Sequence, residues 1–223
     1  MRTQALVLLS CISLAACSGS LFSKADESKA DESKSAAKVA PKIDHQVTNA
    51  WLDEYEPRLK EALKNSRMEL ERRENVLVVT APVESSFNPD RPTMLMPAVL
   101  GPFTKVAKIL EKDPRTAVLI LGHADSSGQA EANLKLSEDR ARAVASIFRL
   151  SGLQRDRLLL KGVGSDMPRA ANDSAPGRAL NRRVEIVLTP QPTLVALLAK
   201  YNQPAPLPLS QAVADQGKAA KAE

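Results

Sequence analysis

Short apolar runs with strand character alternate with helical patterns through the middle of this 223-residue chain, and this order most constrains its fold. The strand-like runs are 68–72, 76–80, 117–121, 158–163 and 184–188. The first two flank a turn and predict a hairpin. Amphipathic patterns at 103–112 and 133–150 predict two helices. We therefore expect an α/β (α+β) fold: a β-α-β-α-β-β mixed sheet with helices on one face, preceded by a short hairpin.

Segments with other patterns flank this body. Residues 45–67 predict a helical lead-in, in which Trp51 and Tyr55 pack the helix onto the body rather than bind sugar rings. Pro57 predicts an interruption, because proline suits the first turn of a new helix. Residues 191–223 are expected to be a C-terminal extension, mostly disordered. Its apolar stretch 194–201 is compatible with docking on a partner or on its own domain.

The first 44 residues are predicted to comprise a targeting signal followed by a linker. Residues 1–16 have a positive start and a short apolar core, which predicts a signal peptide. The end of this segment, Leu14-Ala15-Ala16-Cys17, resembles the lipobox of bacterial lipoproteins; the alternative is an ordinary secretory signal. The resemblance implies cleavage before Cys17, acylation (palmitate) at that residue, and an outer-membrane location with the domain facing the periplasm. The remainder of 17–44 is predicted to be a disordered tether.

Composition excludes several classes of site. Both cysteines lie in the first twenty residues, which excludes a disulfide framework or a cysteine-rich metal centre in the body. The two histidines, His45 and His123, have no metal-ligand spacing. The net charge of +5 is not gathered into a basic stripe, so no nucleic-acid partner is predicted. We predict no cofactor and no metal.

The stretch from Leu121 to Val144 carries the chemistry. Asp125 follows a predicted strand, where ligand sites of α/β proteins form, and Arg140 lies on the next helix. This stretch resembles the signature of the OmpA-like (C-terminal, peptidoglycan-associated) domain family. The matching positions are Gly122-His123-Ala124-Asp125, Gly128, Asn133, Leu136-Ser137, Arg140-Ala141 and Val144, then Gly162-Val163-Gly164, Pro168, Asn172 and Asn181–Ile186. The resemblance covers residues 68–190.

The resemblance implies a ligand: the meso-diaminopimelate of the peptidoglycan stem peptide, whose side chain ends in an ammonium and a carboxylate. Asp125 would accept the ammonium and Arg140 would bind the carboxylate with its planar fork. The other expected ligand-binding residues are Asn133, which would bind the peptide or orient Arg140, together with Ser126, Ser127, Gly128, Leu136 and, more weakly, Arg183. His123 is expected to be a structural hydrogen-bonding residue.

Two departures from the family pattern bear on affinity. Ala124 stands where the family has Thr, and Phe87-Asn88 stands where it has Phe-Asp, so the usual second carboxylate is missing. The predicted function is non-enzymatic: non-covalent peptidoglycan binding that tethers the outer membrane to the cell wall. The alternatives are a peptidoglycan-anchored subunit of an envelope protein complex and a wall hydrolase. A hydrolase would need a base or carboxylate pair that this motif does not suggest.

Overall fold

The computed structural model describes residues 42–201. The predicted signal peptide, Cys17, most of the tether and the end of the extension lie outside these residues. The helices are α1 His45–Leu63, α2 Val83–Ser86, α3 Pro97–Glu111, α4 Ala130–Leu150, α5 Ala175–Asn181 and α6 Gln191–Tyr201. The strands are β1 Glu69–Arg73, β2 Val76–Pro82, β3 Thr116–Gly122, β4 Leu158–Gly162 and β5 Arg183–Pro190.

The strands form one mixed sheet in the order β1-β2-β5-β3-β4. The pairs β1/β2, β2/β5 and β5/β3 are antiparallel, whereas β3 and β4 are parallel. The parallel pair is joined through α4, as a parallel connection requires a crossover. The predicted mixed α/β fold with its opening hairpin is confirmed, and the short helix α5 between β4 and β5 is an addition to it.

One face of the sheet holds the hydrophobic core. Alternate residues of the central strands, among them Val79, Ile120 and Ile186, cluster with apolar side chains of α1, α3 and α4. Phe103 of α3 and Phe148 of α4 meet there with ring centroids 6.5 Å apart. Each such side chain contributes about 1.5–3 kcal/mol when fully buried, so these three helices are held on one face by the packing itself.

The lead-in is one continuous helix, and the interruption predicted at Pro57 is wrong. Asp44 caps α1 by accepting hydrogen bonds from the amides of Gln46 and Val47, so the helix starts before the apolar pattern does. Pro57 is exposed, and the missing amide bond falls on the solvent side. Leu52 and Leu59, on either side of it, are both fully buried, and this burial outweighs the local cost of the proline.

The aromatic residues of α1 pack onto the body, as predicted. The Trp51 and Tyr55 rings stack at 4.4 Å. Trp51 Nε1 donates to Thr116 Oγ1 at 3.2 Å, and the Tyr55 hydroxyl donates to Asp113 at 3.0 Å. Both side chains are therefore structural parts of the domain.

The apolar stretch after the last strand forms α6, which packs against β3 and β5 of its own domain. Leu194 and Ala196 are buried, while Val195 on the other side of the helix is half exposed. Of the two alternatives for this stretch, the structure shows docking on the same domain. None of the helices in residues 42–201 combines the length and the apolar character that a membrane span requires.

The two ends of the sheet carry different features. At one end, where α1 begins, His45 Nδ1 lies 2.9 Å from Asn75 Oδ1 in the β1–β2 turn. At the other end β2 and β3 finish and β5 begins, with Pro82 paired to Arg183. The chain therefore enters the domain at one end of the sheet, and the residues after β2 and β3 lie at the opposite end.

Candidate ligand-binding site

The loop that follows β3 is fixed by its own hydrogen bonds. Asp125 Oδ1 accepts from the Ser127 amide at 2.8 Å. Asn133 Nδ2 donates to the carbonyl oxygens of Asp125 at 3.1 Å and of Ser127 at 2.8 Å. Gly128 has a φ of 86°, a conformation that favours glycine. The loop is thus held in one shape with Asp125 at its start.

Close contact between α4 and β3 places this loop beside the start of the helix. A Cβ at Gly122 would lie 1.9 Å from the Ser137 carbonyl oxygen, so only glycine permits this approach. The Ser137 hydroxyl also accepts from the Gly164 amide at 3.0 Å. Arg140, one turn further along α4, is carried to the same end of the sheet as Asp125.

Asp125 is ion-paired with Arg182, a residue that the sequence reasoning did not single out. Arg182 Nη1 donates to Asp125 Oδ2 at 2.6 Å, and Nη2 donates to Glu84 Oε1 at 2.6 Å. Burial raises the pKa of Asp125, but the hydrogen bonds from Arg182 and Ser127 outweigh it and hold the pKa below its ordinary value. Asp125 is therefore a carboxylate at neutral pH.

Arg140 is a buried cation held by contacts with Pro92 and Phe87. Its side chain is 5% exposed, its Nε donates to the Pro92 carbonyl at 2.9 Å, and its guanidinium lies 5.7 Å from the centre of the Phe87 ring. Within residues 42–201 no carboxylate forms an ion pair with it. Burial and the nearby Arg182 lower the pKa of Arg140, and Asp125 opposes this shift.

The predicted residues at the loop and on α4 come together in the structure. Asp125 and Arg140 influence each other electrostatically but do not pair directly. Ser126, Ser127 and Gly128 are exposed on the loop, and Leu136 is half-buried one turn before Arg140. The Ser126 amide donates to Asn172 Oδ1 at 3.2 Å. Asn133 orders the loop through its two hydrogen bonds, and the contacts that orient Arg140 come from Pro92 and Phe87.

Arg183 lies on the opposite face of the sheet, which corrects its assignment to this groove. Its Nε donates to Glu185 Oε1 at 2.8 Å, and Nη2 donates to the Met167 carbonyl at 3.3 Å. Successive residues entering a strand point to opposite faces, so Arg182 reaches Asp125 and Arg183 cannot. Alternation predicts that Arg182 and Arg183 point to different faces, and the strand order decides that Arg182 is the one beside Asp125.

His123 also faces away from the groove. It is buried beside Glu185, with 3.8 Å between Nε2 and Oε2, and neither ring nitrogen makes a hydrogen bond within the described chain. The expected hydrogen-bonding role is therefore not seen. Burial and Arg183 lower the pKa of His123 to about 4, so the ring is neutral at pH 7.

The two departures from the family pattern have defined positions. Ala124 is buried, and its amide donates to the Gly164 carbonyl at 2.8 Å. Asn88 uses its side-chain oxygen to accept from the amides of Asp90 and Arg91, at 2.9 and 3.0 Å. Asn88 therefore shapes the loop that carries Phe87 and Pro92 against Arg140 and brings no charge to it.

Comparison with known proteins assigns the family. The sequence model described as the OmpA family matches residues 87–182, which contain Asp125, Arg140 and Arg182. Residues 87–182 form an OmpA family domain. The strands β1, β2 and β5 lie outside the matched residues and belong to the same sheet as β3 and β4.

Individual proteins also resemble parts of the chain. The probable lipoprotein YiaD of Escherichia coli (strain K12) is 34% identical over 140 residues, which cover 63% of this chain and 64% of YiaD. The peptidoglycan-binding protein ArfA of Mycobacterium tuberculosis (strain H37Rv) is 39% identical over 94 residues, 42% of this chain and 29% of ArfA. The matches thus span less than two thirds of each relative's length.

A solved structure shows the same OmpA-type architecture. The cell wall anchor of the T6SS from Pseudomonas aeruginosa is 31% identical, with a TM-score of 0.53 over 60% of this chain and 99% of that one. The likeness therefore extends over nearly the whole of that structure.

Proposed function

We propose that this chain binds peptidoglycan non-covalently through the meso-diaminopimelate of the stem peptide and so tethers the outer membrane to the cell wall. The observation that carries the proposal is Arg140, a buried guanidinium with no carboxylate partner in residues 42–201. A buried unpaired charge is costly, and such costs are concentrated at functional sites. A ligand carboxylate would supply the missing partner.

The neighbouring groups suit the rest of the ligand. The diaminopimelate side chain ends in an ammonium and a carboxylate on one carbon. Asp125 accepts one hydrogen bond on each oxygen, from Ser127 and Arg182, and a carboxylate has further lone pairs for an ammonium. Leu136 would contact the aliphatic part of the ligand, and the exposed loop of Ser126, Ser127 and Gly128 would meet the peptide.

The names of similar proteins support the same ligand. ArfA is named a peptidoglycan-binding protein, and the Pseudomonas structure is named a cell wall anchor. The identities to these proteins are 39% over 94 residues and 31% over 60% of this chain. These proteins support cell-wall binding as the class of function, and the charges of Asp125 and Arg140 support diaminopimelate as the proposed ligand within the wall.

The groove favours binding over hydrolysis. Glycan hydrolysis needs a carboxylic acid with a raised pKa as proton donor, whereas the pKa of Asp125 lies below its ordinary value. Arg182 maintains that ionised state. We infer that the chain is not an enzyme. Incubation of the purified chain with intact sacculi should release no soluble fragments, and release of muropeptides would contradict this.

Attachment to the membrane is proposed through Cys17, with the domain facing the periplasm from the outer membrane. YiaD, which is similar over 140 residues, is named a probable lipoprotein. The start of α1 lies at the end of the sheet opposite to Asp125. Cys17→Ser should abolish labelling of the chain by a palmitate analogue; undiminished labelling would contradict the anchor.

A second candidate is a peptidoglycan-anchored subunit of an envelope complex, which the similarity to the T6SS cell wall anchor favours. Because α1 and α6 are packed parts of the domain, a partner would use their exposed sides. Val47 is 55% exposed and Val195 is 51% exposed. If a complex forms, Val47→Asp or Val195→Asp should disrupt it without loss of wall binding. Crosslinked complexes that are unchanged in both variants would exclude these surfaces.

The proposed ligand is tested by co-sedimentation of the full chain, in detergent, with purified sacculi. We expect the parent to sediment and the Asp125→Asn and Arg140→Met variants to remain in the supernatant. Glu74→Gln, an exposed change in the β1–β2 turn, is the control and should sediment like the parent. A folded parent that stays in the supernatant would reject the proposal.

A further inference from the structure

Arg182 bridges two carboxylates at the edge of the groove. Its two terminal nitrogens each lie 2.6 Å from a carboxylate oxygen, one of Asp125 and one of Glu84. The bridge is anchored through the backbone as well, because the Arg182 carbonyl accepts from the Val83 amide at 3.0 Å. Glu84 is thus held beside Arg182 by its place in α2.

The charges of this bridge decide what the Asp125 side of the groove attracts. Paired with Arg182 alone, Asp125 would belong to a neutral pair, and an approaching ammonium would gain little from it. Arg140 adds a second positive charge nearby. Glu84 brings a second negative charge to Arg182, so the group of Asp125, Arg182 and Glu84 carries a net charge of minus one. Asn88, in the adjacent loop, is neutral, and its side-chain oxygen already accepts hydrogen bonds from the amides of Asp90 and Arg91.

We propose that Glu84, acting through Arg182, determines specificity by supplying the net negative charge with which the site selects a ligand ammonium. This inference rests on the proposed function and names a residue that the resemblance does not assign. Glu84 does not contact the ligand in this account. Its charge offsets that of Arg182 and so leaves the charge of Asp125 effective toward the ligand.

Because Glu84 is exposed, its effect on binding should depend on the salt concentration. Its side chain is 64% exposed, and Arg182 is 30% exposed. An electrostatic effect of such exposed groups is screened by salt, whereas an effect on the shape of the groove is not. The contribution of Glu84 to binding should therefore shrink as the ionic strength rises.

The experiment measures the affinity of the full chain, in detergent, for two synthetic stem peptides. One ends in meso-diaminopimelate, and the other ends in 2-aminopimelate, in which hydrogen replaces the side-chain ammonium. Glu84→Gln should bind the diaminopimelate peptide about three- to fivefold more weakly than the parent at low salt. It should bind the 2-aminopimelate peptide like the parent. Glu74→Gln removes the same charge at the far end of the sheet and should change neither affinity.

The outcomes distinguish a failure of the proposed role of Glu84 from a failure of the proposed peptidoglycan binding. Equal affinities of Glu84→Gln and Glu74→Gln for the diaminopimelate peptide would overturn it. Equal losses for both peptides, or a loss that persists at high salt, would also overturn it, because they indicate a change in groove shape. A parent that binds neither peptide would instead reject the proposed function itself.

Discussion

Arg182 lies 2.6 Å from Asp125 and so occupies the place of cationic partner to that carboxylate. Asp125 and Arg140, which the sequence assigns to the two charges of one ligand, form no direct ion pair with each other. The consequence is a groove with a satisfied carboxylate on one side and an unsatisfied guanidinium on the other. In the proposed function, a ligand carboxylate would meet Arg140 and a ligand ammonium would meet Asp125.

The first prediction concerns the effect of the buried Arg140 charge on the free energy of unfolding and on wall binding. Because its guanidinium is buried and has no counterion among the residues that the structure describes, an apolar side chain of similar length should be tolerated better than the charge. Arg140→Met should lower wall binding by at least about tenfold, the loss of one charge-assisted hydrogen-bonded pair. Its unfolding free energy, measured by urea denaturation, should equal or exceed that of the parent. A large drop in stability would contradict the view that Arg140 is retained for its ligand.

The second prediction concerns the contact between α4 and β3. Gly122→Ala would place a methyl group against the Ser137 carbonyl and should cost at least about 3 kcal/mol of unfolding free energy. Gly101→Ala, at an exposed position of α3, should change the unfolding free energy far less, because the added Cβ meets no atom outside its own helix. Urea denaturation of both variants measures the difference. Equal stabilities would show that the close approach is absent.

The third prediction concerns pH. Burial and Arg183 lower the pKa of His123 from 6.5 to about 4, so between these values the unfolded chain binds more protons than the folded one. With respect to His123, the unfolding free energy is therefore highest above about pH 6.5, and it decreases as the pH falls toward 4. Each unit of pKa difference corresponds to about 1.4 kcal/mol.

His123→Gln removes this titration and leaves the carboxylates in place. The unfolding free energy of the parent should therefore fall more steeply than that of His123→Gln between pH 6.5 and 4.5. Denaturation series at several pH values compare the two slopes. Parallel curves would mean that His123 titrates normally in the folded protein.

The strands could be predicted from the sequence, because short apolar runs bounded by turn residues are typical of buried strands. The run at 117–121 lies within β3, Thr116–Gly122, and the run at 76–80 within β2, Val76–Pro82. The helix α5 was missed because it has no apolar face. It starts at a Ser174 cap, and its buried residues are Gly177 and Asn181. A helix held by caps and a buried amide leaves no periodic pattern to detect.

The site was readable in part. Asp125 and Arg140 follow from their positions after a strand and on the next helix. Arg182 was missed because its partner Asp125 is 57 residues away, and pairing over that distance depends on the strand order β5-β3. The sequence also could not predict that Arg140 lacks an ion-pair partner among the described residues, because this depends on the folded structure and not on a local pattern.

The central claim is that Arg140 binds the side-chain carboxylate of diaminopimelate. The measurement that tests it most directly is calorimetric titration of the full chain with two stem peptides. One carries meso-diaminopimelate, and the other carries lysine, which keeps the ammonium and lacks that carboxylate. We predict that the parent prefers the first by about tenfold or more, and that Arg140→Met binds the two equally. A parent that binds both peptides with equal affinity would contradict the account.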